Sequence, residues 1–377
     1  MNTKERFMNV LHQKPVDRPP LAAVVTAVTV PMMEKTGVYY PDAHHTANDL
    51  SKLAASVWEH AQIECIKLPF GMTVEAEALG APMEWGSKDT LPNEYPVFNH
   101  PGELRIPDNF FDLKRVPIVL DAIGRLRKQY DNEVAVISSI VGPFTLGAKL
   151  FGFDNFFPWL ITNPDYVTEA MEKLTRLSIA YANAQLEAGA DCILIGEAVC
   201  SGDLISPDTY RDVIASKHSE LAQDIKGPIV QHICGNATRH VPHIAETGAA
   251  GYNFDEGADI DVIREYCKGK VAIIGYVPTV EVLLQGSPEN VYQASLECLA
   301  NGVDMLAPGC SIPQHVSFEN IAAMRKALED WSKSESIRES TMSLVQEKRA
   351  QKLEKQTQAS SGRRGKRGNR RRESAGS

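Results

Sequence analysis

Eight short apolar runs, each bounded by turn residues, limit what this chain can fold into more than any other feature. They are Leu21 to Val25, Ile63 to Lys67, Val134 to Ile140, Asp191 to Gly196, Pro228 to His232, Gly251 to Phe254, Val271 to Gly275 and Val303 to Ala307. Helical stretches separate them, such as Pro164 to Ala188 and Pro288 to Asn301. Strands that alternate with helices favour a parallel sheet. A count of eight favours a (β/α)8 TIM barrel with insertions, a fold that closes at eight strands and runs from about 200 to over 400 residues. A doubly wound open sheet is the other arrangement the pattern allows. The interval from Gly71 to Asn132 carries Pro82, Pro92, Pro96, Pro101, Pro107 and Pro117, so it reads as an insertion able to cover the barrel mouth.

A barrel gathers its functional groups at the C-terminal ends of its strands. His232 and Cys234 fall where the fifth run ends, and Cys310 follows the eighth. Alternate residues of an extended strand share a face, so His232 and Cys234 point one way and Ile233 the other. One imidazole and two thiolates form the nitrogen and sulfur set that zinc prefers, and three protein ligands leave a coordination position open for substrate. A core thiol and a backbone-bonded histidine would give the same spacing.

Other polar residues share this rim. Glu197 reads as a fourth zinc ligand, a partner of His232 or, by default, a solvated acid; Asp255 and Glu256 form either a carboxylate pair or a solvated turn. Tyr276 follows the seventh run. Arg239 and Lys67 are candidate anion contacts, each with a structural ion pair as the plainer reading. His240, His243 and His315 are rival ligands, Cys192 and Cys298 read as core packing, and Cys200 follows the fourth run.

The seven cysteines are odd in number and irregularly spaced, which argues for a reducing, cytoplasmic setting over a disulfide framework. No apolar run is long enough to span a bilayer. Net charge is −9, yet seven Lys or Arg against Glu373 alone give the stretch from Ser361 onward +6, leaving the rest at −15. A body this acidic argues against broad nucleic-acid binding except through the tail. The expected division is a barrel domain over residues 1–331 and a polar, then Arg-rich, disordered tail over 332–377. At the other end, Asn2 and Glu5 predict a capped helix closed by Pro15.

Several segments carry a resemblance: Lys4-Glu-Arg-Phe-Met, Val16-Asp-Arg-Pro-Pro, Gly142-Pro-Phe-Thr-Leu-Gly, Ile205-Ser-Pro, Gln231-His-Ile-Cys-Gly, and Ala307-Pro-Gly-Cys-Ser-Ile-Pro with Glu319-Asn-Ile. From Met1 to about Trp331 the chain resembles the uroporphyrinogen decarboxylase superfamily, and within it the methylcobamide:coenzyme M methyltransferases. That resemblance implies a catalytic zinc on His232, Cys234 and Cys310, coenzyme M as the methyl acceptor, and methylcobamide supplied by a separate methylated corrinoid protein. The Arg-Gln-Ala-Gly-Arg segment of true uroporphyrinogen decarboxylases is missing. Asp42-Ala-His44 begins like a corrinoid-binding motif but has Ala47 where glycine belongs, so both residues read as loop polar groups. Three alternatives stay open: another acceptor such as tetrahydrofolate, a decarboxylase-like reaction without metal, and a non-enzymatic corrinoid-protein chaperone or tail-driven RNA-binding protein in which the zinc is structural.

Overall fold

The computed structural model describes residues 1–352 and 354. The chain opens with the helix Thr3–Leu11, in which the Glu5 amide donates to the Asn2 side chain at 2.7 Å. This is the cap that the sequence predicts. Arg6 turns inward from this helix. Its Nε and Nη2 donate to the two Asp17 oxygens at 2.8 and 2.9 Å, and its Nη1 donates to Glu64 at 2.9 Å. Arg18 pairs with the other Glu64 oxygen at 2.7 Å.

Two of the sequence segments quoted above are thus ionic clips that hold the N-terminus to the sheet. Arg6→Ala should lower unfolding free energy by about 1–2 kcal/mol in urea titrations, because Asp17 loses its partner at the surface while Glu64 keeps Arg18. The Arg6 hydrogen bond also holds the Asp17 carboxyl well below the usual range. The pair's contribution is therefore full above the ordinary Asp value of about 4, and is lost as pH falls through the depressed folded value.

Among the described residues nine strands follow: β1 Cys65–Lys67, β2 Met83–Glu84, β3 Asn93–Glu94, β4 Ala135–Val141, β5 Cys192–Glu197, β6 Ile229–Ile233, β7 Gly251–Phe254, β8 Ala272–Val277 and β9 Met305–Pro308. Seven of them make one parallel sheet in the order β1-β4-β5-β6-β7-β8-β9. Every residue of β4, β5 and β6 is buried, as expected where helices cover a parallel sheet and both faces need apolar side chains. The expected helix Pro164–Ala188 forms at those bounds, with proline in its first turn and Gly189 after it in the left-handed conformation, φ 119°.

The sheet curls into a TIM-barrel-like arrangement. The Leu21 segment, the first of the eight runs, lies against both edge strands. Leu306 donates to Pro20 O and accepts from Ala22, while Glu64 N donates to Leu21 O at 2.7 Å. It makes one bridge, Leu21 with Leu306, where a full strand was expected. Pro19 and Pro20 immediately upstream have no N–H with which to extend a ladder.

The insertion holds the antiparallel β2–β3 hairpin and the crossover helix Val116–Tyr130. The C-terminal expectation needs correction as far as the described residues go. Residues 335–352 are helical, with Thr341 and Val345, one turn apart, 6% and 5% exposed. Arg349 pairs with Asp261 at 2.8 Å, and Lys352 with Asp259 at 2.9 Å. Two small side chains and the acidic body are enough to dock a segment that composition marks as polar. The Arg-rich stretch lies outside the described residues. Among the described residues, no helix is long and apolar enough to cross a membrane.

Candidate metal centre

The curled sheet brings three distant residues to one point. His232 is the fourth residue of β6, Cys234 follows that strand, and Cys310 follows β9. His232 Nε2 is 3.2 Å from Cys234 Sγ and 3.5 Å from Cys310 Sγ, and the two sulfurs are 3.8 Å apart. A tetrahedral zinc with bonds of about 2.3 Å to sulfur and about 2.0–2.1 Å to nitrogen has ligand edges of about 3.8 Å between sulfurs and about 3.6 Å from nitrogen to sulfur. Two of the three edges fall within about 0.1 Å of those values and the third is shorter. The donor set and its spacing fit a metal ion, and among the described residues these three form the one such cluster of three or more.

The electrostatics suit cationic occupancy. Cys310 is held well below the ordinary thiol value, first by its hydrogen bond with Cys234, with His232 acting in the same direction against burial. Cys234 is pushed up by that bond and by burial. A metal bound here would displace the protons these thiols carry. Burial alone would lower the His232 value, but Cys310 and Asn253 outweigh it and raise it.

Asn253 is a residue that sequence reasoning missed. It faces His232 across the β6–β7 register, fully buried. Its Nδ2 donates to Ile274 O and Pro308 O at 3.1 and 3.2 Å. Asn253 Oδ1 and His232 Nδ1 are both buried with no hydrogen-bond partner. The amide oxygen is the group placed to take an Nδ1 proton and leave Nε2 free for metal. The available signal was an Asn inside the apolar run Gly251-Tyr-Asn-Phe.

The cluster opens on a cavity of about 200 Å³. Met72, Leu91 and Pro92 of the insertion line it, with Lys67, Ser139 and Ser311. The insertion does cover the mouth, as the prolines suggested.

The remaining candidates stand elsewhere. Glu197 is 1% exposed rather than solvated, and it bonds to neither His232 nor the sulfurs. It accepts from Thr145 N at 2.9 Å, Thr145 Oγ1 at 2.6 Å, Phe144 N at 3.3 Å and Cys200 Sγ at 3.4 Å, and lies 3.1 Å from His218 Nε2. The reason is the helix Pro143–Phe151, which aims its N-terminal amides at the end of β5. A Cβ at Gly142 would sit 2.1 Å from Glu197 Cδ, so glycine is needed for this approach.

Asp255 and Glu256 follow β7, and Glu256 is raised by burial and then by Asp255. Glu256 and Arg239 line a separate polar cavity of about 580 Å³. His240 stacks on Tyr210 at 4.8 Å, His315 pairs with Asp89 at 3.0 Å, and His243 stays outside the cluster. Tyr276 accepts from Asn301 at 3.0 Å. Cys192 and Cys298 are core residues as read, and Cys200 is buried too. His44 is no loop polar group. It packs between Tyr40 and Phe70, where burial pushes it down to about 3.

A TIM-barrel-like α/β protein with an imidazole and two thiols joined at its C-terminal rim is the class that fold and site define. The profile of the uroporphyrinogen decarboxylase family matches residues 2–331, and the chain belongs to that family. Among its relatives is the methylcobamide:CoM methyltransferase MtaA of Methanosarcina barkeri, 31% identical over 87% of this chain and 98% of the relative. The methylated-thiol–coenzyme M methyltransferase of Methanosarcina mazei is 29% identical over 84% and 86%. A solved methyltransferase from Methanosarcina mazei superposes with a TM-score of 0.85 at 30% identity, covering 88% of this chain and 99% of its own. The uroporphyrinogen decarboxylase of Coxiella burnetii is more distant, 25% identical over 87% and 95%.

Proposed function

We propose that this chain is a zinc-dependent methyltransferase that moves a methyl group from a methylated corrinoid protein to the thiol of coenzyme M. The single observation that carries this reading is the His232, Cys234 and Cys310 cluster, with near-tetrahedral edges, opening on a small cavity. The relatives named for methylcobamide and coenzyme M support the choice of substrates.

When bound by these three residues, zinc supplies an open position at which a thiol loses its proton near neutral pH. His232, Cys234 and Cys310 fix where the acceptor sulfur sits, Asn253 orients the imidazole, and the insertion shields the site from bulk water. The sulfur lone pair then forms the S–CH3 bond as the Co–CH3 bond breaks, both electrons of that bond staying on cobalt and the thiol proton passing to solvent. The corrinoid protein docks over the mouth.

A cavity of about 200 Å³ is below the roughly 300–1,000 Å³ that drug-sized ligands occupy. This favours a two-carbon thiol over tetrahydrofolate or a tetrapyrrole. The metal-free alternative loses ground because Glu256 faces a different cavity. In this reading residues 1–331 are a (β/α)8 catalytic unit in which the Leu21 segment takes the eighth place, and free thiols at seven positions suit a reducing cytoplasm.

The test is demethylation of free methylcobalamin by the purified full-length chain with coenzyme M or tetrahydrofolate, and zinc measured on the same sample. About one zinc per chain, with turnover on coenzyme M that chelation abolishes and zinc restores, is the expected result. A metal-free active enzyme, or turnover with tetrahydrofolate alone, would overturn the proposal.

A further inference from the structure

Lys67 ends β1 and is only 4% exposed, yet it is not the structural ion pair that its sequence suggests. An ammonium has three N–H donors. One Lys67 donor goes to Pro69 O at 2.6 Å, and among the described residues no carboxylate comes within ion-pair distance. Glu75 acts on it only from farther off, and directs one oxygen to Val141 N–H at 2.7 Å. Burial pushes the Lys67 amine down to about 7, with Glu75 partly opposing. A buried cation ordinarily has a partner, because leaving water without one is costly.

That partner has a place to sit. Lys67 lines the same cavity of about 200 Å³ as His232, Cys234 and Cys310. Lys149, the other cation of the lining, is already paired with Glu94. The Thr73 hydroxyl accepts from Arg115 at 2.7 Å. Ser139 and Ser311 add hydroxyls to the wall. A ligand that fills so small a space meets the sulfur cluster at one end and the ammonium at the other.

We propose that Lys67 is the anion-binding residue of this site, holding the acid group of a short mercapto acid whose sulfur is directed to His232, Cys234 and Cys310. The inference rests on the methyl-transfer reading and adds the residue that selects the acceptor: the sulfonate of coenzyme M completes the buried pair that the protein leaves open, and a neutral thiol of the same length does not.

The experiment compares wild type with Lys67→Met and Lys67→Gln in zinc-loaded full-length protein. Two readouts are taken: methylcobalamin demethylation with 2-mercaptoethanesulfonate or 2-mercaptoethanol, and calorimetric binding of ethanesulfonate, which has the anion but no thiol. Both variants should keep their zinc and raise KM for the sulfonate thiol about 10- to 100-fold, the range expected for a lost charge-assisted contact. The loss of kcat/KM should be at least about tenfold smaller with mercaptoethanol than with the sulfonate thiol, and ethanesulfonate binding should disappear. Variants that keep zinc and the wild-type preference for sulfonate would overturn the inference. If wild type demethylates methylcobalamin with neither thiol, the methyl-transfer reading fails, and ethanesulfonate binding alone decides for Lys67. Binding lost in both variants supports the anion site, while equal binding, or none in wild type, overturns it.

Discussion

Cys310→Ser should remove metal and methyl transfer together. A serine hydroxyl stays protonated near neutral pH and is a poor match for zinc, whereas each thiolate contributes a soft, charged donor. With the third ligand gone, His232 and Cys234 remain as a two-point site, 3.2 Å apart. Neighbours that merely orient ligands are worth about 10- to 100-fold in affinity or activity, so a direct ligand should cost more, at least about 100-fold in turnover. Zinc measured after dialysis should fall from about one per chain to a small fraction of that. The fold should survive, because Cys310 is only partly buried, in the loop after β9, and an oxygen for sulfur exchange there opens no core cavity. Unfolding of metal-stripped samples, matched to metal-stripped wild type, separates the two effects. A variant that keeps full zinc and full turnover would remove Cys310 from the site and leave a two-ligand cluster with no account of its chemistry.

How far the site could be read in advance depended on whether a residue's role lay in its own segment. Strand alternation was enough to pair His232 with Cys234. Cys310 needed the barrel, because only sheet closure explains why a residue 76 positions away from Cys234 ends 3.8 Å from it. The eight runs located the sheet, yet the first became a single bridge because what precedes it is Pro19-Pro20. Glu197, Lys67 and Asn253 resisted in a different way. Each is defined by its surroundings: a helix N-terminus that buries Glu197, the lack among the described residues of a carboxylate within ion-pair distance of Lys67, a cross-strand histidine opposite Asn253. Local pattern carries no information about a partner that arrives from elsewhere in the chain, or fails to arrive. The docking of the helix at 335–352 has the same origin, since the charges that hold it are Asp259 and Asp261 of the body.

Glu197→Ala should give the opposite signature from Cys310→Ser, with stability lost and metal kept. Five groups converge on this carboxylate: two backbone amides at the start of the Pro143–Phe151 helix, the Thr145 hydroxyl, the Cys200 thiol and the His218 ring. His218 in turn lies 3.0 Å from the Tyr210 hydroxyl through Nδ1. Alanine leaves these buried groups facing one another across a void. Removing one partner from a buried charged network costs about 3–5 kcal/mol, and the lost helix N-terminal contact acts in the same direction. Urea titration of the metal-stripped protein should therefore show a large drop in midpoint. The Glu197 oxygens make no hydrogen bond to His232, Cys234 or Cys310, whose mutual distances are set by β6 and β9. Zinc per chain at low temperature, well below the unfolding transition, should then match wild type. Zinc loss with an unchanged urea midpoint would reverse the assignment and make Glu197 a fourth ligand. Glu197→Gln sharpens the comparison, because an amide keeps the volume but turns one of its two acceptors into a donor facing other donors. It should fall between wild type and alanine in stability and again retain its metal, since what the network requires at this position is an acceptor for several hydrogen bonds rather than a ligand.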